Sequence, residues 1–297
     1  MGILSTLSTD LAAAVSSAGE SVVRLEGRRH GPASGTVWAA EGLIVTANHV
    51  LTRDDNIAVG LGEGEPLQGS LVGRDPTTDL ALLRVDRKLK TPSRWIGCES
   101  LRVGHMTLAL GRPGHALRAA MGIVSALGES WRTPAGGSIQ HYVQADISSY
   151  PGFSGGPLVT ADGDILGINT SGLLRSVTVT VPTPTVRQVV DELLKRGRIS
   201  RGYLGIGIQP ARLPSPLAGE LGQETGLLVI SVDSGSPGER AGLVLGDTIL
   251  SLGGTPVRHW DDLIAGLGKD RIGLAVDVRI LRAGRLQEIK ATIGERP

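Results

Sequence analysis

The chain has 297 residues, 40% of them hydrophobic, which suffices for one large domain or two ordinary ones with buried cores. Its net charge of +1 argues against a polyanionic partner such as nucleic acid. With 43 glycines and only 3% aromatic residues, the composition favours short strands joined by tight turns over a helical bundle.

Residues 1–20 place Leu4, Leu7, Leu11 and Val15 at helical spacing, which predicts an amphipathic first helix. Asp10 interrupts the apolar stretch and no basic segment precedes it, so the pattern of a secretory signal is missing. No run of 18 or more apolar residues occurs, and no membrane-spanning helix is expected. The chain as it stands reads as cytoplasmic, or as extracytoplasmic if a leader has been removed. The single cysteine, Cys98, has no partner for an internal disulfide and no motif around it, and reads as a passive small residue.

From residue 22 to residue 181 short β-branched or alternating runs recur between turn signals, among them SVVRLEG, DLALLRV, GIVSALG and SVTVTV. In VTADGDIL an Asp-Gly pair between two apolar runs predicts a hairpin. The pattern is that of an all-β barrel or sandwich. One helix follows. Thr183 is the predicted N-cap, Pro184 suits the first turn, and Gly197 suits the C′ position. Val186, Val189, Val190, Leu193 and Leu194 share one face. After the polar linker GRISRG, the last 95 or so residues mix strands with two short helices, as one compact α+β module does. The expected division is 1–198 and 199–297.

In GFSGGPLV, Ser154 lies between glycines in a pattern that fits two catalytic designs and one passive turn. The α/β-hydrolase elbow needs a following helix and the order Ser, acid, His. Ser154 is followed by an apparent hairpin, and His259 is the only later histidine, so that design fails. The chymotrypsin order is His, Asp, Ser, and the chain supplies it: His49 ends the run LIVTANHVL, Asp79 opens TTDLALLRV, and Ser154 follows. A serine nucleophile needs a base, and the base needs a carboxylate that fixes its tautomer and stabilises the imidazolium.

The segments VTANHVL, RDPTTDLALLRV, VQADISSYPGFSGGPLV, GDILGINTS and ISRGYLGI, in that order, closely resemble the HtrA/Deg family of serine proteases over nearly the whole chain. The resemblance implies a mainly β, chymotrypsin-like double-barrel protease domain followed by an α+β PDZ domain. It implies an ATP-independent endopeptidase acting on unfolded or misfolded polypeptides, with His49 as general base, Asp79 as its orienting acid and Ser154 as nucleophile. It further places the oxyanion hole at the backbone N–H groups of Gly152 and Ser154, each such donor being worth about 2.7–4 kcal/mol. GYLGIGI resembles the carboxylate-binding loop of a PDZ domain, so Leu204, Gly205 and Ile206 are expected to receive peptide C-termini, the peptide adding as a strand. Family members are generally homotrimers, though the aromatic residues that build the trimer have no counterpart before Trp38.

Two departures qualify the expectation. Phe153 stands where the family usually carries asparagine and digestive enzymes carry aspartate, so activation by pairing a new N-terminus with this side chain is excluded. The oxyanion donor is a backbone group, which keeps catalysis compatible with Phe153. The alternative is a ring that holds the turn flipped, leaving a catalytically silent PDZ chaperone or scaffold. Glu129 replaces a family arginine that couples the PDZ domain to the active site, with Arg132 three residues later. The specificity pocket is expected to involve Ser148, Ser149, INTSG, Val177 and Val179, with no acidic residue, which disfavours cleavage after Lys or Arg. No metal-ligand spacing or cofactor motif is present, and no cofactor is expected.

Overall fold

The computed structural model describes residues 2–26, 31–62, 64–91, 94–147, 150–175 and 177–295. The chain divides into two compact units, Met1–Ile199 and Ser200–Pro297.

The first unit opens with helix α1 (Ile3–Gly19), whose Ala14 and Ala18 are buried while Leu4 is 80% exposed. The expected apolar stripe is thus used only in its C-terminal half, where Leu11 and Val15 pack beside Leu108, Leu110 and Val159. Six strands then close a barrel in the order β1-β2-β3-β6-β5-β4. They are β1 (Val22–Glu26), β2 (Ala33–Ala39), β3 (Leu43–Ala47), β4 (Ile57–Gly60), β5 (Leu67–Asp75) and β6 (Leu80–Val85). Every residue of β3, LIVTA, is buried, as expected of a β-branched run packed on both faces. Barrel closure removes the free edges that six such strands would otherwise expose.

A second barrel is built from β7 (Met106–Gly111), β8 (Arg118–Gly128), β11 (Tyr142–Ala145), β12 (Pro157–Thr160), β13 (Ile165–Leu174) and β14 (Val177–Pro182). A small hairpin, β9 (Trp131–Arg132) and β10 (Ser138–Ile139), interrupts it. Closure runs β11-β14-β13-β12-β7-β8. Gly163, with φ +86°, turns the chain between β12 and β13, where the Asp-Gly pair predicts a hairpin.

Helix α2 (Thr183–Arg196) covers the seam, with Val186, Val189, Val190 and Leu193 packed against Leu80 and Leu82 of the first barrel and Val179 and Val181 of the second. Each such buried side chain is worth about 1.5–3 kcal/mol. Two expectations are corrected here. Pro182 rather than Thr183 is the N-cap, because the Thr183 hydroxyl donates to the Leu166 carbonyl, 3.0 Å away, and anchors the helix to β13. Leu194 lies outside the buried face and is 42% exposed. Gly197 caps the helix in the left-handed conformation, φ +68°.

The second unit has a sheet ordered β16-β17-β18-β20-β21, with the two-residue β19 (Thr255–Pro256) paired to β18. These strands are β16 (Ile206–Arg212), β17 (Thr225–Val232), β18 (Thr248–Leu252), β20 (Ala275–Arg282) and β21 (Arg285–Thr292), and β15 (Gly202–Tyr203) pairs β22 (Gly294–Glu295) apart from them. Helices α3 (Ser215–Leu221), α4 (Pro237–Arg240) and α5 (Trp260–Gly266) complete the unit. His259 precedes α5 and shares a capping box with Asp262, so it serves as a helix start. Among the described residues, no helix is long and apolar enough to cross a membrane.

Candidate active site

The register of β3 against β6 pairs Ala47 with Leu80. His49, on the 3-10 turn Asn48–Val50 just after β3, therefore meets Asp79, the residue just before β6. The Asn48 N–H donates to the Asp79 carbonyl at 2.9 Å, continuing the ladder one step past the strands. The His49 N–H donates to Asp79 Oδ1 at 2.8 Å, and His49 Nδ1 lies 2.7 Å from Asp79 Oδ2. Asp79 is 3% exposed and has φ +55°, a strained conformation for a residue with a side chain. The preceding loop fixes it there: Asp75 accepts from the Thr77 N–H and hydroxyl at 3.1 and 2.8 Å and from the Thr78 hydroxyl at 2.7 Å.

Two further residues of β13, which sequence reasoning missed, complete this cluster. The buried Thr170 hydroxyl donates to Asp79 Oδ2, and the Gly172 N–H donates to Thr170 Oγ1 at 2.9 Å. A Cβ on Gly172 would stand 2.6 Å from both Asp79 Oδ2 and His49 Nδ1, so only glycine lets this strand pass the pair. The signal for both was the NTSG run, whose polar residues sit inside an otherwise apolar strand.

Ser154 lies in the turn that leads into β12 of the second barrel. Its hydroxyl is 3.2 Å from the Ser171 hydroxyl, and no hydrogen bond joins it to His49 in this arrangement. The turn around it is held by β2: Ser34 N–H donates to the Ser154 carbonyl at 3.2 Å, Ser34 Oγ donates to the Gly152 carbonyl at 2.6 Å, and Thr36 Oγ1 donates to the Gly155 carbonyl at 3.0 Å. The Gly156 N–H holds the Phe153 carbonyl at 3.0 Å. The N–H groups of Gly152 and Ser154 donate to no described residue. Gly152 has φ +93°, and a Cβ there would stand 2.6 Å from Pro113 Cβ, so the position admits only glycine.

Phe153 is 3% exposed and sits in the second barrel's core with Cys98, Val143, Leu158 and Leu166. Gly111 makes room for its ring, since a Cβ there would come within 2.7 Å of it, and Tyr150 covers it with ring centroids 5.6 Å apart. Burial, then the charge of Glu99, pushes the Cys98 thiol up to about 11, in keeping with a passive core residue.

Beside the turn is a pocket lined by Ala109, Ala145, Ile147, Phe153, Asn169, Thr178 and Thr180. This corrects the expectation for β14: Val177 and Val179 pack toward α2, and the alternate residues Thr178 and Thr180 face the pocket. Ser148 and Ser149 lie outside the described residues. Among the described residues, no charged side chain lines the pocket.

In the second unit Leu204 is 1% exposed, its carbonyl accepts from Gly238 N–H at 2.7 Å, and the Gly205 carbonyl accepts from Asp233 N–H at 2.8 Å. Gly205 has φ +70°, and the N–H groups of Leu204 and Gly205 donate to no described residue. Ile206 starts β16, an edge strand that among the described residues pairs with β17 alone.

Two closed β-barrels that bring a His–Asp pair and a serine turn to one seam, in a chain that continues into a PDZ fold, define a trypsin-like peptidase of modular build. Residues 33–168 match the trypsin-like peptidase domain family and residues 202–293 the PDZ domain family. The chain is 36% identical over 281 residues to a probable periplasmic serine endoprotease, DegP-like, of Rhizobium meliloti (strain 1021), covering 92% of this chain and 55% of that protein. It is 36% identical over 270 residues to the protein of the same description in Pseudomonas putida (strain W619), covering 89% of this chain and 56% of that one. The chain thus spans about half the length of the curated relatives it matches. Among solved structures, the HtrA-type protease AlgW with tripeptide aligns at TM-score 0.72 and 32% identity, covering 97% of both chains. The serine endoprotease from Yersinia pestis aligns at TM-score 0.73 and 28% identity, covering 97% of this chain and 98% of that one. The chain belongs to the HtrA/Deg family of serine proteases.

Proposed function

We propose that the protein is a serine endopeptidase that cleaves unfolded polypeptides, with His49, Asp79 and Ser154 as its triad. The carrying observation is the buried Asp79, which holds both the backbone and the ring of His49 at 2.7–2.8 Å. In the reaction Ser154 Oγ turns from Ser171 toward His49 and attacks the scissile carbonyl while His49 Nε2 takes its proton. The Nδ1–H stays on Asp79, which stabilises the imidazolium, and His49 then protonates the leaving amine. The free N–H groups of Gly152 and Ser154 receive the oxyanion. A pocket of Ala, Ile, Phe, Asn and Thr side chains, with no carboxylate among the described residues, favours small or medium uncharged residues at the cleavage position.

The second unit offers peptide termini a pair of free N–H groups at Leu204 and Gly205 and an open strand edge from Ile206 onward. That the HtrA-type protease AlgW has been solved with a tripeptide is in keeping with peptide binding by a protein of this build. A silent peptide-binding scaffold is the second reading, favoured by the bond of Ser154 to Ser171 in place of His49.

Digestion of unfolded casein by the wild type and by Ser154→Ala separates the two. Cleavage by the wild type alone, with fragments ending in small uncharged residues, supports the protease. Absence of cleavage by both, with a hydrophobic C-terminal peptide present, sinks it.

A further inference from the structure

Arg112 follows β7 directly and is half-buried, and its guanidinium meets no carboxylate among the described residues. It donates instead to three carbonyls: Nε to Val22 at 2.7 Å, Nη1 to His115 at 2.9 Å and Nη2 to Gly19 at 3.1 Å. Desolvation lowers its pKa, the mark of a cation held by dipoles in place of a counter-ion. Gly19 is the last residue of α1, so the guanidinium sits where a helix dipole favours positive charge. An arginine placed this way makes a specific junction between the end of the N-terminal helix, the start of β1 and the loop after β7.

The backbone of the same residue reaches the turn of Ser154. Arg112 N–H donates to Ser34 Oγ at 2.8 Å, and Ser34 is wholly buried. A hydroxyl has a single proton to give. Since the Arg112 N–H must donate, the Ser34 proton is directed to the Gly152 carbonyl, 2.6 Å away. Gly111 receives the Phe153 ring on one side of Arg112, and Pro113 abuts Gly152 on the other. The three consecutive residues 111–113 thus fix the turn whose N–H groups the reading above assigns to the oxyanion.

We propose that Arg112 is a positioning residue for the oxyanion turn, and that through Ser34 it makes the geometry of that turn depend on the docked N-terminal helix. With α1 seated, the Gly19 and Val22 carbonyls hold the guanidinium, the guanidinium holds residues 112–115, and Ser34 holds Gly152. With α1 displaced, the Gly19 carbonyl leaves while the Val22 carbonyl, on β1, stays, so the guanidinium keeps two of its three acceptors and the hold on residues 112–115, and through Ser34 on Gly152, loosens. The proposal rests on the protease reading, and its test keeps the two apart.

Wild type, Ser154→Ala, Arg112→Met, Ser34→Ala and the double variant Arg112→Met/Ser34→Ala are compared by covalent labelling with a fluorophosphonate probe and by kcat and KM on an unfolded substrate. Near-ultraviolet circular dichroism checks folding, and Ser34→Ala, which removes one oxygen, carries the test if Arg112→Met does not fold. Labelling of the wild type and not of Ser154→Ala upholds the catalytic reading. In that case kcat falls about tenfold or more in each single variant, since a displaced oxyanion donor acts in the transition state. KM stays within about twofold. The double variant loses no more than the worse single one, as members of one relay do. Unchanged kcat in the single variants, or losses that add in the double variant, overturn the relay alone. A wild type that is not labelled overturns the catalytic reading and the relay with it.

Discussion

At the scale of single residues the site depends on what is missing as much as on what is present. Gly172 has no side chain where a Cβ would stand 2.6 Å from His49 Nδ1 and Asp79 Oδ2. Gly172→Ala therefore forces the pair apart, and kcat falls at least about a hundredfold, toward the roughly 10⁴-fold loss that follows when the orienting carboxylate fails. Steady-state kinetics beside a thermal melt checks this, and a wild-type kcat would show that β13 yields to the methyl. Ser171 acts in the opposite sense. Its hydroxyl stabilises a resting Ser154 by about 0.5–1.5 kcal/mol, so Ser171→Ala raises the labelling rate severalfold. A slower rate in that variant would make Ser171 a helper of the nucleophile. The contact of His49 with Asp79 was legible because one closes an apolar run and the other opens one, and the roles proposed for them and for Ser154 rest on the order His, Asp, Ser. Gly172, Thr170, Ser34 and Arg112 were not, since each acts through a neighbour that only the folded barrels bring near.

The elements show why some faces were misread. In β14 both sides are covered, one by α2 and the first barrel and the other by the second barrel's interior. Hydrophobicity alone then cannot tell which side holds the pocket, and the valines went to the helix while the threonines lined the cavity. The helix itself was predicted well from its apolar spacing and its glycine stop. Its N-cap was misplaced because Thr183 found acceptors in β13 that no local pattern reveals. In the second unit β18 and β20 are joined at their ends by an ion pair, with Arg282 Nε and Nη2 each 2.7 Å from the fully buried carboxylate of Asp247. Arg282→Met leaves that carboxylate buried and unpaired and destabilises the unit by about 3–5 kcal/mol. Calorimetry should show the transition of this unit moving down with that of the first unchanged, and a shift within error would mean that water replaces the arginine.

For the whole molecule, composition set the right class: glycine-rich, poor in aromatics, and able to stand without disulfides. Cys98 makes that last point measurable. Its thiol is 9% exposed and pushed up to about 11, so at pH 8 it is neutral and shielded. Alkylation by iodoacetamide is expected to follow unfolding of the second barrel and to be negligible in the native protein, and rapid native labelling would reveal local opening around Phe153. What composition and motif order left out is the path of the chain between the barrels. His49 and Asp79 come from the first barrel and Ser154 from the second, so neither barrel alone contains the proposed chemistry.

The grip of β2 on the turn at 152–155 has a consequence for how this architecture can be recombined. Ser34 and Thr36 hold three of the turn's carbonyls, at Gly152, Ser154 and Gly155, from across the seam. The unit of exchange between related proteins is therefore not the barrel. A chimera that receives residues 106–182 from a relative inherits a proposed nucleophile whose backbone was shaped by a strand left behind. To remain functional it must bring residues 33–36 along, two distant stretches of sequence travelling as one inheritance.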